Sequence, residues 1–253
     1  MSDDTTEGHG TISSMISRRA VWYGVSVLGV CIFFILFFIM RNTSEDTEVS
    51  TIPTKALDND SSNASYTIIA FGDSLTAGYG VSLEESYPAM LERALRERNL
   101  EVRVVNMGVS GEVTTAGVER VDFILSQKPS LVLLGLGAND MLRASSPQIA
   151  RTNIETIVRR LTDAQVPIIL LGMKSVASNG DTYREEFDPI YPSLAQKYRI
   201  PLVPFFLEGV ALNPELNTRD GIHPNALGYE KIVRENILPI LLPVLEGILH
   251  ESQ

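Results

Sequence analysis

Ser74 is the residue of this chain around which a reaction could be built. It sits in Phe71-Gly72-Asp73-Ser74-Leu75, directly after the apolar run Tyr66-Thr67-Ile68-Ile69-Ala70. A run of that length, rich in β-branched residues, reads as a buried parallel strand, and helical periodicity follows the turn. A serine at the carboxyl end of the first strand of an open α/β sheet lies where such folds keep their ligand crevice. At a helix start its hydroxyl also has free backbone N–H groups beside it, suited to a developing anion. Gly/Asp/Ser clusters serve equally as plain turns or helix caps. The motif alone does not choose between these roles.

A serine becomes a useful nucleophile only when a base removes its proton and a partner fixes that base's tautomer. Asp220-Gly221-Ile222-His223-Pro224 offers such a pair three residues apart in one tight turn. Of the three histidines, His9 lies in the polar N-terminal stretch and His250 in the C-terminal tail, so a serine hydrolase would use His223 as its base. The plainer role for Asp220 and His223 is to cap the helix that follows. An acyl-transfer site also needs donors for the tetrahedral oxyanion. Gly111, ending the loop after the second strand, and Asn139, ending the loop after the third, each offer one.

These residues need elements to hold them. Strands are expected near 66–70, 101–106, 131–136, 167–173 and 200–206, the last short or at an edge because of Pro201 and Pro204. Helices are expected over 83–99, 114–127, 147–164, 183–198 and 225–249, the last kinked or broken at Pro239 and Pro243. Strands alternating with helices imply a five-stranded parallel sheet covered on both faces, a three-layer α/β/α domain over residues 65–253. Ser74, Gly111, Asn139 and the Asp220–His223 turn would then meet at one sheet edge.

Four blocks carry a resemblance: Gly72-Asp73-Ser74-Leu75, Ser110-Gly111-Glu112, Gly137-Ala138-Asn139-Asp140 and Asp220-Gly221-Ile222-His223-Pro224. In this order they are similar to the signature blocks of SGNH/GDSL hydrolases. Within that family the chain resembles the bacterial acyl-CoA thioesterase I, arylesterase and lysophospholipase L1 group, from about Tyr66 to Leu245. The resemblance implies a flavodoxin-like sheet and a serine esterase acting on acyl esters or thioesters without cofactor or metal. It implies Ser74 as nucleophile, His223 as base and Asp220 as its orienter. The oxyanion would be held by the N–H groups of Ser74 and Gly111 and by the Asn139 side chain. The segment from Met141 to Pro147 differs from the mobile loop of relatives, so their acyl-length preference is not expected to transfer. A carbohydrate O-acetylesterase of the same superfamily and an inactive tethered binding module are the competing expectations. No Gly-x-Ser-x-Gly elbow or His-Glu-x-x-His motif is present.

Ahead of the domain, residues 20–40, from Ala20 to Met40, contain no charged side chain and are long enough to cross a bilayer core of about 30 Å. Arg18 and Arg19 precede the run, and Glu45 and Asp46 follow soon after it. The positive-inside rule therefore predicts a cytoplasmic stub over 1–19, a transmembrane anchor over 20–40 and a flexible tether over 41–64. The domain would lie outside the cytoplasm, at the periplasmic face of a bacterial inner membrane. Relatives are usually secreted behind a cleaved signal, but this run is longer than a signal's apolar region and lacks an Ala-x-Ala-like site. Cys31, the only cysteine, falls inside it, so no disulfide or thiol nucleophile is expected in the domain. A net charge of -10, with no basic cluster, argues against nucleic acid as a partner.

Overall fold

The computed structural model describes residues 66–251. The expected stub, anchor and tether therefore lie outside the described residues. Among the described ones no helix is long and apolar enough to cross a membrane.

Five parallel strands form one sheet: β1 (Tyr66–Gly72), β2 (Val102–Gly108), β3 (Leu131–Gly135), β4 (Ile168–Leu171) and β5 (Leu202–Val203), in the order β2-β1-β3-β4-β5. The order reverses on either side of β1, which makes its carboxyl end a crevice by topology alone. Ile68 to Phe71 and Leu131 to Leu134 are completely buried, as central strands covered on both faces require. β5 keeps only two residues because Pro201 and Pro204 bound it, in line with the expected short edge strand.

The helices are α1 (Ser74–Ala77), α2 (Tyr87–Arg96), α3 (Thr114–Ser126), α4 (Ala138–Leu142), α5 (Pro147–Asp163), α6 (Asp181–Phe187), α7 (Ile190–Tyr198), α8 (Ala226–Lys231) and α9 (Leu238–Glu251). Helix α5 packs against α3, α6 and α7, whereas α2 packs against α8 and the segment after it. Three expected helices need correction. The 83–99 helix is a 3₁₀ turn at Leu83–Glu85 followed by α2, whose first turn takes Pro88, where a missing N–H costs nothing. The 183–198 helix is two, because Pro189 cannot donate in a helix interior and caps α7 instead. The final helix is neither broken at Pro239 nor at Pro243. A π-helical stretch, Ile232–Ile237, precedes α9, in which Pro239 falls in the first turn and Pro243 inside.

The strand ends decide where the site can form. Gly72 is in register with Gly108 on one side and Gly135 on the other, so three glycines line up at the carboxyl edge. A Cβ at Gly108 would lie 2.1 Å from the Ala77 nitrogen, and one at Gly72 would lie 2.1 Å from Thr76 Oγ1. Helix α1 can settle onto the strand ends only because those side chains are absent.

Candidate active site

Ser74 is the first residue of α1, so its N–H has no acceptor within the helix. Asp73 caps that helix, its Oδ1 accepting from the Leu75 N–H at 3.0 Å. Asp73 is buried, and burial is the main reason its carboxyl is pushed up to about 7. The Leu75 N–H opposes that shift and nearby Glu112 adds to it. The Asn139 side chain also lowers it, although Oδ2 finds no partner within strict hydrogen-bond geometry.

The Asp220–His223 turn arrives from the other end of the chain. Asp220 Oδ1 accepts from the N–H groups of Ile222 (2.8 Å) and His223 (3.0 Å) and from Thr218 Oγ1 (2.8 Å). The Thr218 N–H donates to the His223 carbonyl at 2.8 Å and closes the loop. Burial favours the neutral acid, but these donors and the His223 ring outweigh it and hold the Asp220 carboxyl well below the usual range. Oδ2 faces His223 Nδ1 at 2.6 Å. The other ring nitrogen, Nε2, lies 2.9 Å from Ser74 Oγ, across 149 positions of sequence. Tyr79 packs its ring against the imidazole, with centroids 4.7 Å apart. The hydroxyl, imidazole and carboxylate thus form one hydrogen-bonded line. Such a line can take a proton from the serine as its oxygen attacks a carbonyl, and return it to a leaving group.

Asn139 lies on α4 and lines the same cleft as Ser74 and His223. Gly137 starts that helix at φ 114°, a left-handed conformation that favours glycine. A Cβ there would strike the Tyr191 hydroxyl, which donates to the Leu136 carbonyl at 2.8 Å. Gly111, at φ 81°, turns the chain after β2 and lies beside the cleft rather than lining it. Arg143 ties the two loops together by donating to the Gly111 carbonyl at 3.0 Å. The cleft measures about 520 Å³, within the range of small-molecule sites, and its walls are mostly apolar, among them Leu75, Met141, Met173 and Leu207.

Sequence reasoning missed the residues that hold these loops. Arg120 on α3 reaches back to Glu112, donating to Oε1 at 2.6 Å and pairing with Oε2. It also donates to the Met107 carbonyl at 3.2 Å and covers the Phe71 ring. Asp140 accepts from the Thr114 N–H at 2.8 Å and from its hydroxyl at 2.7 Å, fastening α4 to the start of α3. Asp140 carried a signal, its place directly after Asn139. An arginine eight residues beyond Glu112 carried none, because only the loop's return path brings it back.

The profile of the GDSL-like Lipase/Acylhydrolase family matches residues 70–231, more than half of the chain. The chain belongs to the GDSL-like lipase/acylhydrolase family. As a GDSL acylhydrolase it is a carboxylic ester hydrolase. It is similar to the arylesterase of Vibrio mimicus, 38% identical over 64% of this chain and 82% of that protein. It is also similar to the thioesterase 1/protease 1/lysophospholipase L1 of Escherichia coli, 37% identical over 64% of this chain and 77% of the relative. Among solved structures, the SGNH-hydrolase esterase AlinE4 matches this GDSL hydrolase at 44% identity. The match has a TM-score of 0.60 and covers 74% of this chain and 96% of that one.

Proposed function

We propose that this hydrolase cleaves acyl esters or thioesters in two steps, with Ser74 as nucleophile, His223 as base and Asp220 as its orienter. Ser74 Oγ bonds to the substrate carbonyl carbon as its proton passes to His223 Nε2. The imidazolium then gives that proton to the departing alkoxide or thiolate, leaving an acyl-enzyme. Water, deprotonated by the same nitrogen, attacks the acyl-enzyme, and the proton returns to Ser74 as the carboxylic acid leaves. Asp220 keeps Nδ1 protonated and offsets the charge of the imidazolium. The oxyanion is received by the N–H groups of Ser74 and Gly111 and the amide of Asn139.

The observation that carries this reading is the unbroken contact from Asp220 Oδ2 through His223 to Ser74 Oγ. The apolar walls of the cleft favour an acyl chain over a sugar on that side of the serine. Hydrolysis of p-nitrophenyl esters from acetyl to palmitoyl, measured for the wild type and Ser74→Ala, tests it. Turnover is expected to vanish in the variant. Asn139→Ala is expected to lose about 10²- to 10³-fold in kcat, the usual effect of removing one oxyanion donor. Equal turnover by the wild type and Ser74→Ala would remove the serine from the mechanism.

The apolar run from Ala20 to Met40 and the arginines before it support a membrane-anchored enzyme whose hydrolase domain faces away from the cytoplasm. Lipid esters and other acyl esters outside the cytoplasm are then more accessible substrates than acyl-CoA.

A further inference from the structure

The mouth of the cleft carries several exposed apolar side chains. Tyr79 is 55% exposed, Leu142 44%, Leu212 88% and Ile222 46%. Leu142, Leu212 and Ile222 line the cleft that holds Ser74, and Tyr79 packs against His223, so all four rim one opening. They come from three separate connections: Tyr79 follows α1, Leu142 ends α4, and Leu212 and Ile222 lie between β5 and α8. Leu212 is the extreme case. Its backbone is left-handed at φ 63°, a conformation unfavourable for leucine, and nearly all of its side chain projects into solvent. Scattered exposed leucines are ordinary, whereas apolar side chains gathered round one opening mark an interaction surface.

Two cations flank this rim. Arg143 directly follows Leu142, and Arg219 directly precedes Asp220. Both are exposed, and among the described residues neither forms an ion pair. The chain as a whole carries -10, so bulk attraction does not bring it to an anionic surface and any such contact must be local. Apolar side chains beside arginines that have no carboxylate partner match the layering of a phospholipid surface, acyl region beneath phosphate.

We propose that this rim docks the catalytic cleft onto a phospholipid bilayer. The covalent arrangement permits it. The chain enters the domain at Tyr66, the amino end of β1, and Ser74 follows its carboxyl end, about 23 Å away for a seven-residue strand. Twenty-five residues separate Met40 from Tyr66, and a chain of that number can span at most about 80–90 Å, well beyond that distance. A chain held at Met40 can therefore turn the cleft toward the bilayer.

The full chain carrying Cys31→Ser and Leu212→Cys, labelled with a polarity-sensitive fluorophore, tests the proposal in vesicles of phosphatidylcholine and phosphatidylglycerol. Tyr79→Cys provides a second reporter on the same rim, and Glu101→Cys, before β2, one at the opposite sheet edge. The expected result is a blue shift and loss of iodide quenching at 79 and 212, with neither at 101. Equal quenching at all three positions would overturn the proposal. So would the same protection given by a lysophospholipid below its micellar concentration, since that marks a substrate subsite only. The readout needs no turnover, so it stands apart from failure of the esterase mechanism. A chain that washes off the vesicles at alkaline pH but still shows rim protection would remove the anchor and uphold the docking face.

Discussion

At Ser74, local chemistry and long-range contact meet in one side chain. Its position after Asp73 gives it a capped helix start, and His223 Nε2 comes within 2.9 Å of its hydroxyl. Asp73 itself is an unusual neighbour, a buried carboxyl pushed up to about 7 mainly by burial. A folded-state value above the unfolded 3.8 means that the native protein binds this proton more tightly. The group's stabilising contribution is full below about pH 4 and is lost as pH rises toward 7, a change on the order of 4 kcal/mol at most. Asp73→Asn keeps an oxygen for the Leu75 N–H and cannot ionise. Urea unfolding across pH 4 to 8 should therefore fall less steeply for the variant than for the wild type. Identical slopes would show that Asp73 does not titrate in this range. Asp220 works the opposite way: its donors hold it ionised in the fold, so its contribution is lost in acid, as the pH drops below the ordinary carboxylate range.

At the level of elements, the site depends on how three loops are held at the ends of β1, β2 and β3. The row Gly72, Gly108 and Gly135 lets α1 approach, and Arg120 then ties the end of β2 to the loop bearing Gly111 through Glu112. The Glu112 side chain is only 3% exposed, so losing its partner leaves a carboxylate buried without compensation. Arg120→Met should cost about 3–5 kcal/mol in urea unfolding and lower kcat, with the Arg120→Met/Glu112→Met double variant recovering much of the stability. A single variant as stable as the wild type would show that the pair contributes nothing net. The other clamp, Asp140 to Thr114, is local to α3 and α4 and holds Asn139's helix in place.

Over the whole molecule, the uncharged apolar run from Ala20 to Met40 ahead of the hydrolase domain makes its own prediction. A chain starting at Ser61 should remain in the supernatant after ultracentrifugation and keep its activity on short soluble esters. The full chain should stay with membranes through an alkaline wash. A full chain that remained soluble without lipid or detergent would overturn the anchor. The family profile spans residues 70–231, which places the matched region inside the described domain.

Much of this was legible without coordinates. Apolar runs of five to seven residues bounded by glycine gave strands within a few positions of those observed, because a strand buried on both faces leaves little choice of residue type. Ser74, Asn139 and His223 stood out as candidates because chemistry restricts each role to few side chains, and the structure brings them to one cleft; the Asp220–His223 turn was legible because its hydrogen bonds are local. Proline positions were visible but their effects were not. Pro189 split a helix, whereas Pro243 sits inside one, and tertiary packing decides which backbone irregularity is tolerated. Only the tertiary structure placed His223 Nε2 at 2.9 Å from Ser74 Oγ, since no local preference acts across 149 residues. The same holds for Arg120 folding back onto Glu112 and for four exposed apolar side chains gathering at one opening. Sequence determined which groups could react; strand order and loop packing decided which of them meet.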